Sequence, residues 1–305
     1  MSAASLWLVC VTLVAGCGAH ATRSDSRHVP HTPALEFTDP VDVVSAPGGA
    51  LWVADYRDSA ITVLRRQGAV LKIVRRLPAR GGPNRLAIDR NGLIWAAMWD
   101  AGTLQAWAPN EGSGHPIASL HARGLQQPTG LGFDPRGWLW VTTQKGRSLL
   151  GFSPGRLRRS GRVVPSREIA LPGGSQALNE DVAFDLAGRA YVVQYQAEKV
   201  IVFDSLHAGS SPARSISLNG DGPVGARRGP DGAIWVTNST AANLLRLSDG
   251  GRRRQTIEIP GANMPHTVTF AGGEGWVTDP TAWLLAYPVD ALRSGSAKPD
   301  LVAHR

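Results

Sequence analysis

Cysteine is almost absent from this chain of 305 residues: there are two, Cys10 and Cys17, both near the N-terminus. The body therefore has no disulfide, no thiolate-ligated metal site and no Cys-based or haem-type motif for electron transfer. Charge is also sparse, with 18% charged residues against 43% hydrophobic ones, so the chain can bury a core. A long apolar run is missing beyond Leu6 to Val14, which is too short to span a bilayer. Acidic residues are outnumbered, giving a net charge of +8 carried mainly by Arg. The basic clusters (Arg65-Arg66, Arg75-Arg76, Arg156 to Arg162, Arg227-Arg228, Arg252 to Arg254) fall in different segments, near expected outer-strand turns. They form no contiguous basic stripe of the kind that binds nucleic acid, so no nucleic-acid partner is expected. They read as solubilising loop charge with weak attraction to anionic envelope surfaces.

What the chain does have begins with a leader. Leu6 to Val14 has the length of a signal-peptide core and runs into Leu13-Val14-Ala15-Gly16-Cys17. Two small residues before a cysteine resemble the bacterial lipobox, which implies cleavage before Cys17 and a lipid on its thiol. Residues 1–16 contain no Lys or Arg, a departure from that pattern. The expected organisation is a signal peptide over 1–16, the lipidated Cys17 with a flexible polar tether over 17–36, and one domain over 37–305. Residues 29–36 could still add a strand to that domain. Export and anchoring to a membrane follow, on the periplasmic side or at the cell surface.

The body repeats. Trp52, Trp95, Trp140, Tyr191, Trp235 and Trp276 are spaced by 43, 45, 51, 44 and 41 residues. A glycine stands three positions before each (Gly49, Gly92, Gly137, Gly188, Gly232, Gly273) and an aliphatic nine after (Ile61, Leu104, Leu149, Val200, Leu244, Leu285). Twelve before, Pro40, Pro83, Pro128 and Pro223 recur; Asn179 takes the place in the fourth copy, and Pro265 is displaced by one in the sixth. Proline suits the first residue of a strand, where its missing N–H does no harm. Turns such as Asp89-Arg90-Asn91-Gly92 and Asp134-Pro135-Arg136-Gly137 join the first two strands, with Asp capping and Gly supplying positive φ. The aromatic lies on the second strand, placed to wedge between adjacent sheets. Four strands in about 43 residues make one propeller blade. Six copies predict an all-β, six-bladed β-propeller of four-stranded antiparallel blades, closed by packing the last blade on the first.

Pro, short strand, Asp-x-x-Gly, then Leu/Ile-Trp-Val-Ala/Thr-Asp/Asn resembles the NHL-type repeat. It is also similar to the streptogramin lyase-like and gluconolactonase-like propellers, over residues 37–305. In those families substrate and ligand meet at the mouth of the central channel. Alignment on the anchors places there Val41-Asp42, Asn84-Arg85, Thr129-Gly130, Glu180-Asp181, Val224-Gly225 and His266-Thr267. A second tier holds Asp55, Asp100, Gln144, Gln194, Asn238 and Asp279.

The gluconolactonase resemblance implies a divalent cation, calcium or magnesium, held by one Glu, two Asn and one Asp. Asn84 and Asn179 match two of these places; the first-blade Glu is absent and Val224 replaces the Asp. Hard cations need several converging oxygens, so Asn84, Asn179, Glu180 and Asp42 are the metal candidates. The lyase resemblance implies a His with a Glu-x-His pair and magnesium; His266 is present, but Glu-x-His occurs nowhere. Catalytic candidates are therefore His266, Glu180 and Asp181, against the plainer reading that such residues hydrate the channel and cap strand ends. Trp99, Trp107, Trp138 and Trp283 lie off the anchor register, and Trp99 with Trp283 could line a ligand face.

Two functions follow. The first is a non-enzymatic binding or scaffolding lipoprotein of the cell envelope, a monomer that meets a protein or glycan through one face. The second is a metal-dependent hydrolase or lyase with its site at the channel mouth. Departures from both enzyme patterns lean toward the first.

Overall fold

The computed structural model describes residues 31–32, 35, 37–110, 112–144, 146–207, 211–281, 283–295 and 297–303. The leader and Cys17 lie outside these, as does the Trp283 side chain.

Six small sheets follow one another along the chain. Blade one comprises Pro40–Ser45, Leu51–Asp55, Ala60–Gln67 and Val70–Pro78, each strand pairing antiparallel with the next. Blade two is Pro83–Ile88, Ile94–Met98, Thr103–Trp107 and Ala118–Ala122; blade three is Pro128–Phe133, Leu139–Thr143, Ser148–Phe152 and Arg167–Ala170. Blade four is Asn179–Phe184, Ala190–Gln194, Lys199–Phe203 and Arg214–Ser217, and blade five Pro223–Arg228, Ile234–Asn238, Asn243–Ser248 and Arg253–Glu258. Blade six is Thr267–Ala271, Glu274–Asp279, Trp283–Pro288 and Leu301–Ala303. The expected six-bladed, all-β propeller is the fold, and the four recurrent prolines each open an innermost strand.

The aromatic anchors do what their spacing implies. All six are at most 2% exposed. Each belongs to the apolar cluster between its own blade and the next: Trp52 packs with Leu86 and Ile94, Trp140 with Val182 and Val192. The sixth cluster joins Trp276 and Leu284 to Val43 and Val53, which closes the ring. Across that seam Thr278 donates to the Val41 carbonyl at 3.3 Å.

The turn aspartates serve two purposes. Asp134 Oδ1 accepts from the Arg136 and Trp138 N–H groups, while Oδ2 accepts from the Trp140 indole at 2.9 Å. Asp185 repeats the arrangement, bonding the Ala187 and Arg189 N–H groups and the Tyr191 hydroxyl. One carboxylate thus shapes the turn and fixes the wedge that follows it.

Two blades carry a fifth, parallel strand. Gly161–Val163, from the long connection within blade three, pairs with Leu120–Ala122 of blade two. His31–Thr32 pairs with Val302–Ala303 at the outer edge of blade six, and Leu35 and Phe37 are buried in the seam cluster. The N-terminal addition anticipated within residues 29–36 is thus a two-residue strand.

Strand direction defines two faces. The innermost strands start on one, here the mouth face, and run to the Asp-x-x-Gly turns on the other, the turn face. Connections between third and fourth strands also lie on the turn face.

Candidate functional site

The channel mouth is built by a repeated irregularity. In blades one to five the innermost strand shifts register after its first residue, between Pro40 and Asp42, Pro83 and Arg85, Pro128 and Gly130, Asn179 and Asp181, and Pro223 and Gly225. A bulge leaves one residue unpaired and re-aims its neighbours. The skipped residues are Val41, Asn84, Thr129, Glu180 and Val224, the outer members of the ring read from the sequence.

Below them the centre is occupied by charge. Arg227, from blade five, reaches Asp42 Oδ2 of blade one at 2.7 Å and Asp181 Oδ2 of blade four at 2.9 Å, and donates to the Leu86 carbonyl of blade two. Arg85, from blade two, donates to the carbonyls of Thr129 and Val224, each at 3.0 Å, and stands 3.7 Å from Asp181. Asp42 also accepts from the Val43 and Leu86 N–H groups, and Asp181 from those of Val182 and Ala226. Both carboxylates are fully buried. Burial pushes the Asp181 carboxyl above its usual range, with the two guanidinium groups pulling against that shift. Burial opposes the charge on Arg227, yet Asp42 and Asp181 lift its pKa above the ordinary value.

Arg227 was expected to be a solubilising loop charge and is instead the centre of this network. Its register explains the difference. The equivalent innermost positions are Val44, Ala87, Gly132, Ala183 and Thr269, all small or apolar, which leaves room for one long side chain to cross the axis. A single Arg among five such residues was the available signal. Close approach of blades three and four supports the same packing: a side chain at Gly130 would collide with Asp181.

Above the network, Glu180 and His266 are partly exposed at the mouth. Burial raises the Glu180 pKa to about 8; Asp181 adds to that, and Arg85 and a hydrogen bond with Gln144 oppose it. Burial lowers His266 to about 4, assisted by Arg85 and opposed by Asp279 and Asp42. At neutral pH the mouth therefore presents a carboxylic acid and an uncharged imidazole.

The cation implied by the resemblance is tested by these donors. Asp42 is engaged by two N–H groups and a guanidinium. The Asn179 side chain donates to the Gly146 carbonyl and accepts from Gln194, and that of Asn84 donates to the Thr129 carbonyl. Among the described residues no three His, Cys, Asp or Glu side chains gather as a metal cage. Two of the four candidates, Asp42 and Asn179, thus have their oxygens engaged by protein donors, which leaves too few converging oxygens for a hard cation as the site stands.

Much of the second tier anchors loops, while Gln144 bonds Glu180 at the mouth. Asp55 accepts from the Thr38 and Asp39 N–H groups, and Asp279 from those of Asn263 and Met264, so each fixes the segment leading into its blade. Gln194 donates to the Pro172 carbonyl and to Asn179, Asn238 donates to Asn243, and Asp100 accepts from the Tyr56 hydroxyl. Trp99 is half-buried; Trp107 is 1% exposed in the cluster of blades one and two. Trp138 stacks on Trp140 with ring centroids 5.9 Å apart.

The arrangement defines a six-bladed propeller whose centre is sealed by two Asp and two Arg. Solved structures share this fold. A streptogramin B lyase matches with a TM-score of 0.67 at 16% identity, over 89% of this chain and 86% of that one. The virginiamycin B lyase of Staphylococcus aureus matches with 0.61 at 18%, over 82% and 80%. The PQQ-bound aldose sugar dehydrogenase of Streptomyces coelicolor matches with 0.57 at 16%, over 83% and 92%. Lyases and a dehydrogenase lie at similar distance, so the likeness carries fold and not activity. No protein-family model matches the sequence, and a search of curated proteins finds no match.

Proposed function

We propose that this chain is an exported, lipid-anchored propeller that serves the cell envelope as a binding or scaffolding module, meeting a protein or glycan through one face as a monomer. The observation that carries this reading is the commitment of Asp42 and Asp181 to Arg227 and backbone N–H groups. Those carboxylates are the central acids that a cation-dependent site would draw on. The small residues before Cys17 support lipid attachment there.

Calorimetric titration of the purified protein with calcium, magnesium and zinc tests the first part. Stoichiometric binding that Asn84→Ala or Glu180→Ala abolishes would overturn the scaffold reading. Labelling with a radioactive fatty acid in a bacterial host tests the second: label is expected on the wild type and absent from Cys17→Ser. Label on neither would remove the anchor.

One observation favours the alternative of a hydrolase or lyase at the mouth. The opposed shifts of Glu180 and His266 are those of a proton donor and a proton acceptor at neutral pH. A panel of lactones and cyclic esters, assayed with and without calcium or magnesium, decides it: turnover abolished by Glu180→Gln and His266→Ala supports catalysis, and no turnover on any substrate counts against it.

A further inference from the structure

The two faces differ in charge, and the difference arises from topology. On the turn face, Arg90 and Arg136 stand on first-to-second strand turns, and Arg158 and Arg159 in the connection within blade three. Arg228 ends the innermost strand of blade five, and Arg253 begins its outermost strand. All six are exposed, and none has a carboxylate partner among the described residues. Several acids of this face are used internally, while Asp204, Asp249 and Asp290 are exposed, the last two beside Arg252 and Arg293. Asp89, Asp134 and Asp185 shape turns; Asp231 pairs with Arg246, and Glu274 with Arg66. The mouth face is different: Asp39, Asp58, Asp100, Glu198 and Asp221 lie there, and Arg57 and Arg76 are paired with Asp39 and Asp58. Leu186, 74% exposed, tips a turn on the basic face.

A second, independent observation points the same way. His31–Thr32 runs parallel to Val302–Ala303. Outermost strands run from the turn face to the mouth face, so His31 is the turn-face end of this short strand. The preceding residues, Cys17 among them, are covalently attached at that end.

We propose that the turn face is an electrostatic docking surface for an anionic lipid bilayer. Spread-out guanidinium groups on one side of a flat body suit a sheet of phosphate headgroups, each contributing modestly and all screened by salt. The mouth face is then turned outward, free for the partner proposed above. The surface does not depend on acylation, because the charges belong to the propeller.

Co-sedimentation of the full chain carrying Cys17→Ser tests this, with vesicles of phosphatidylcholine alone or mixed with phosphatidylglycerol. Binding to the neutral vesicles measures the apolar leader, and the increment with phosphatidylglycerol measures the propeller face. That increment is expected to vanish in about 1 M salt, where screening shortens to about 3 Å. Arg90→Gln, Arg136→Gln and Arg159→Gln together are expected to reduce it on the order of a hundredfold. Arg80→Gln, Arg123→Gln and Arg147→Gln, on the mouth face, are expected to leave it unchanged. These side chains are all exposed, and matching thermal melts confirm that both triple variants fold. Equal losses in the two variants, or no increment with phosphatidylglycerol, would overturn the proposal. So would salt-sensitive binding to heparin without binding to the anionic vesicles, which would assign the face to a soluble polyanion. Loss of fatty-acid label from Cys17 with the vesicle increment intact would defeat the anchor and leave the docking surface standing.

Discussion

The blade interfaces and the channel of this propeller are built on opposite plans. At the interfaces one device is used six times: an aromatic on the second strand, at most 2% exposed, wedged against the neighbouring blade. At the channel the strand bulge repeats in five blades, but the side chains it presents diverge. Asp42, Arg85 and Asp181 share one strand position in three blades, Thr129 is the skipped residue of a fourth and Arg227 lies further along the strand of a fifth, yet they form one connected network. Each interface is a local solution, whereas the centre ties five of the six blades together through charge and hydrogen bonds.

That contrast can be broken by mutation, beginning at the centre. Arg227→Leu leaves the Asp42 and Asp181 carboxylates buried without their shared partner, and is expected to cost about 3–5 kcal/mol in denaturant unfolding. Adding Asp42→Asn and Asp181→Asn should restore part of this loss. A triple variant no more stable than Arg227→Leu would show that packing, not charge, is what Arg227 supplies. Trp140→Ala at an interface is expected to cost a comparable or slightly smaller amount, about 3–4 kcal/mol. Combined with Trp276→Ala on the far side of the ring, the two losses should add, whereas Arg227→Leu and Asp42→Asn should not.

A smaller effect sharpens the comparison through pH. The Glu180 pKa is about 8 when folded, above its unfolded value, so the unfolded chain loses that proton first and stability falls as pH rises toward 8. His266, lowered to about 4, acts oppositely, adding stability as pH rises to about 6.5. Between about pH 6.5 and 8 only the Glu180 contribution remains of the pair. Glu180→Gln should flatten the decline of melting temperature over that window; an unchanged slope would show that Glu180 is not the titrating group. The smallest change is expected from Tyr191→Phe, which removes one hydroxyl bond to Asp185 and should cost about 1 kcal/mol. This isolates the contribution of the turn aspartate to a single wedge.

The sequence reading succeeded where structure repeats and failed where it does not. Proline, turn glycine and aromatic recur at fixed offsets because each blade solves the same packing problem, so spacing alone located the strands. The ring of innermost residues was placed correctly for the same reason. Their roles were not visible, because Asp42 looks identical in sequence whether it faces a cation or the guanidinium of Arg227, which lies 185 residues away. Arg227 itself was hidden in a dipeptide that resembles the exposed Arg pairs of other blades. The second tier misled in a related way. Asp55 and Asp279 sit where a ligand could be met, but unsatisfied N–H groups of the incoming loops claim them first. The parallel strand Gly161–Val163 had no periodic signal, since it belongs to the one connection that departs from the repeat.

The guanidinium of Arg227, spanning the axis from blade five to blades one and four, has a consequence for the two faces of the molecule. Asp42, Arg85, Asp181 and Arg227 set a layer of paired charge between the mouth face and the turn face. Glu180 and His266 lie on one side of that layer and the arginine-rich surface on the other.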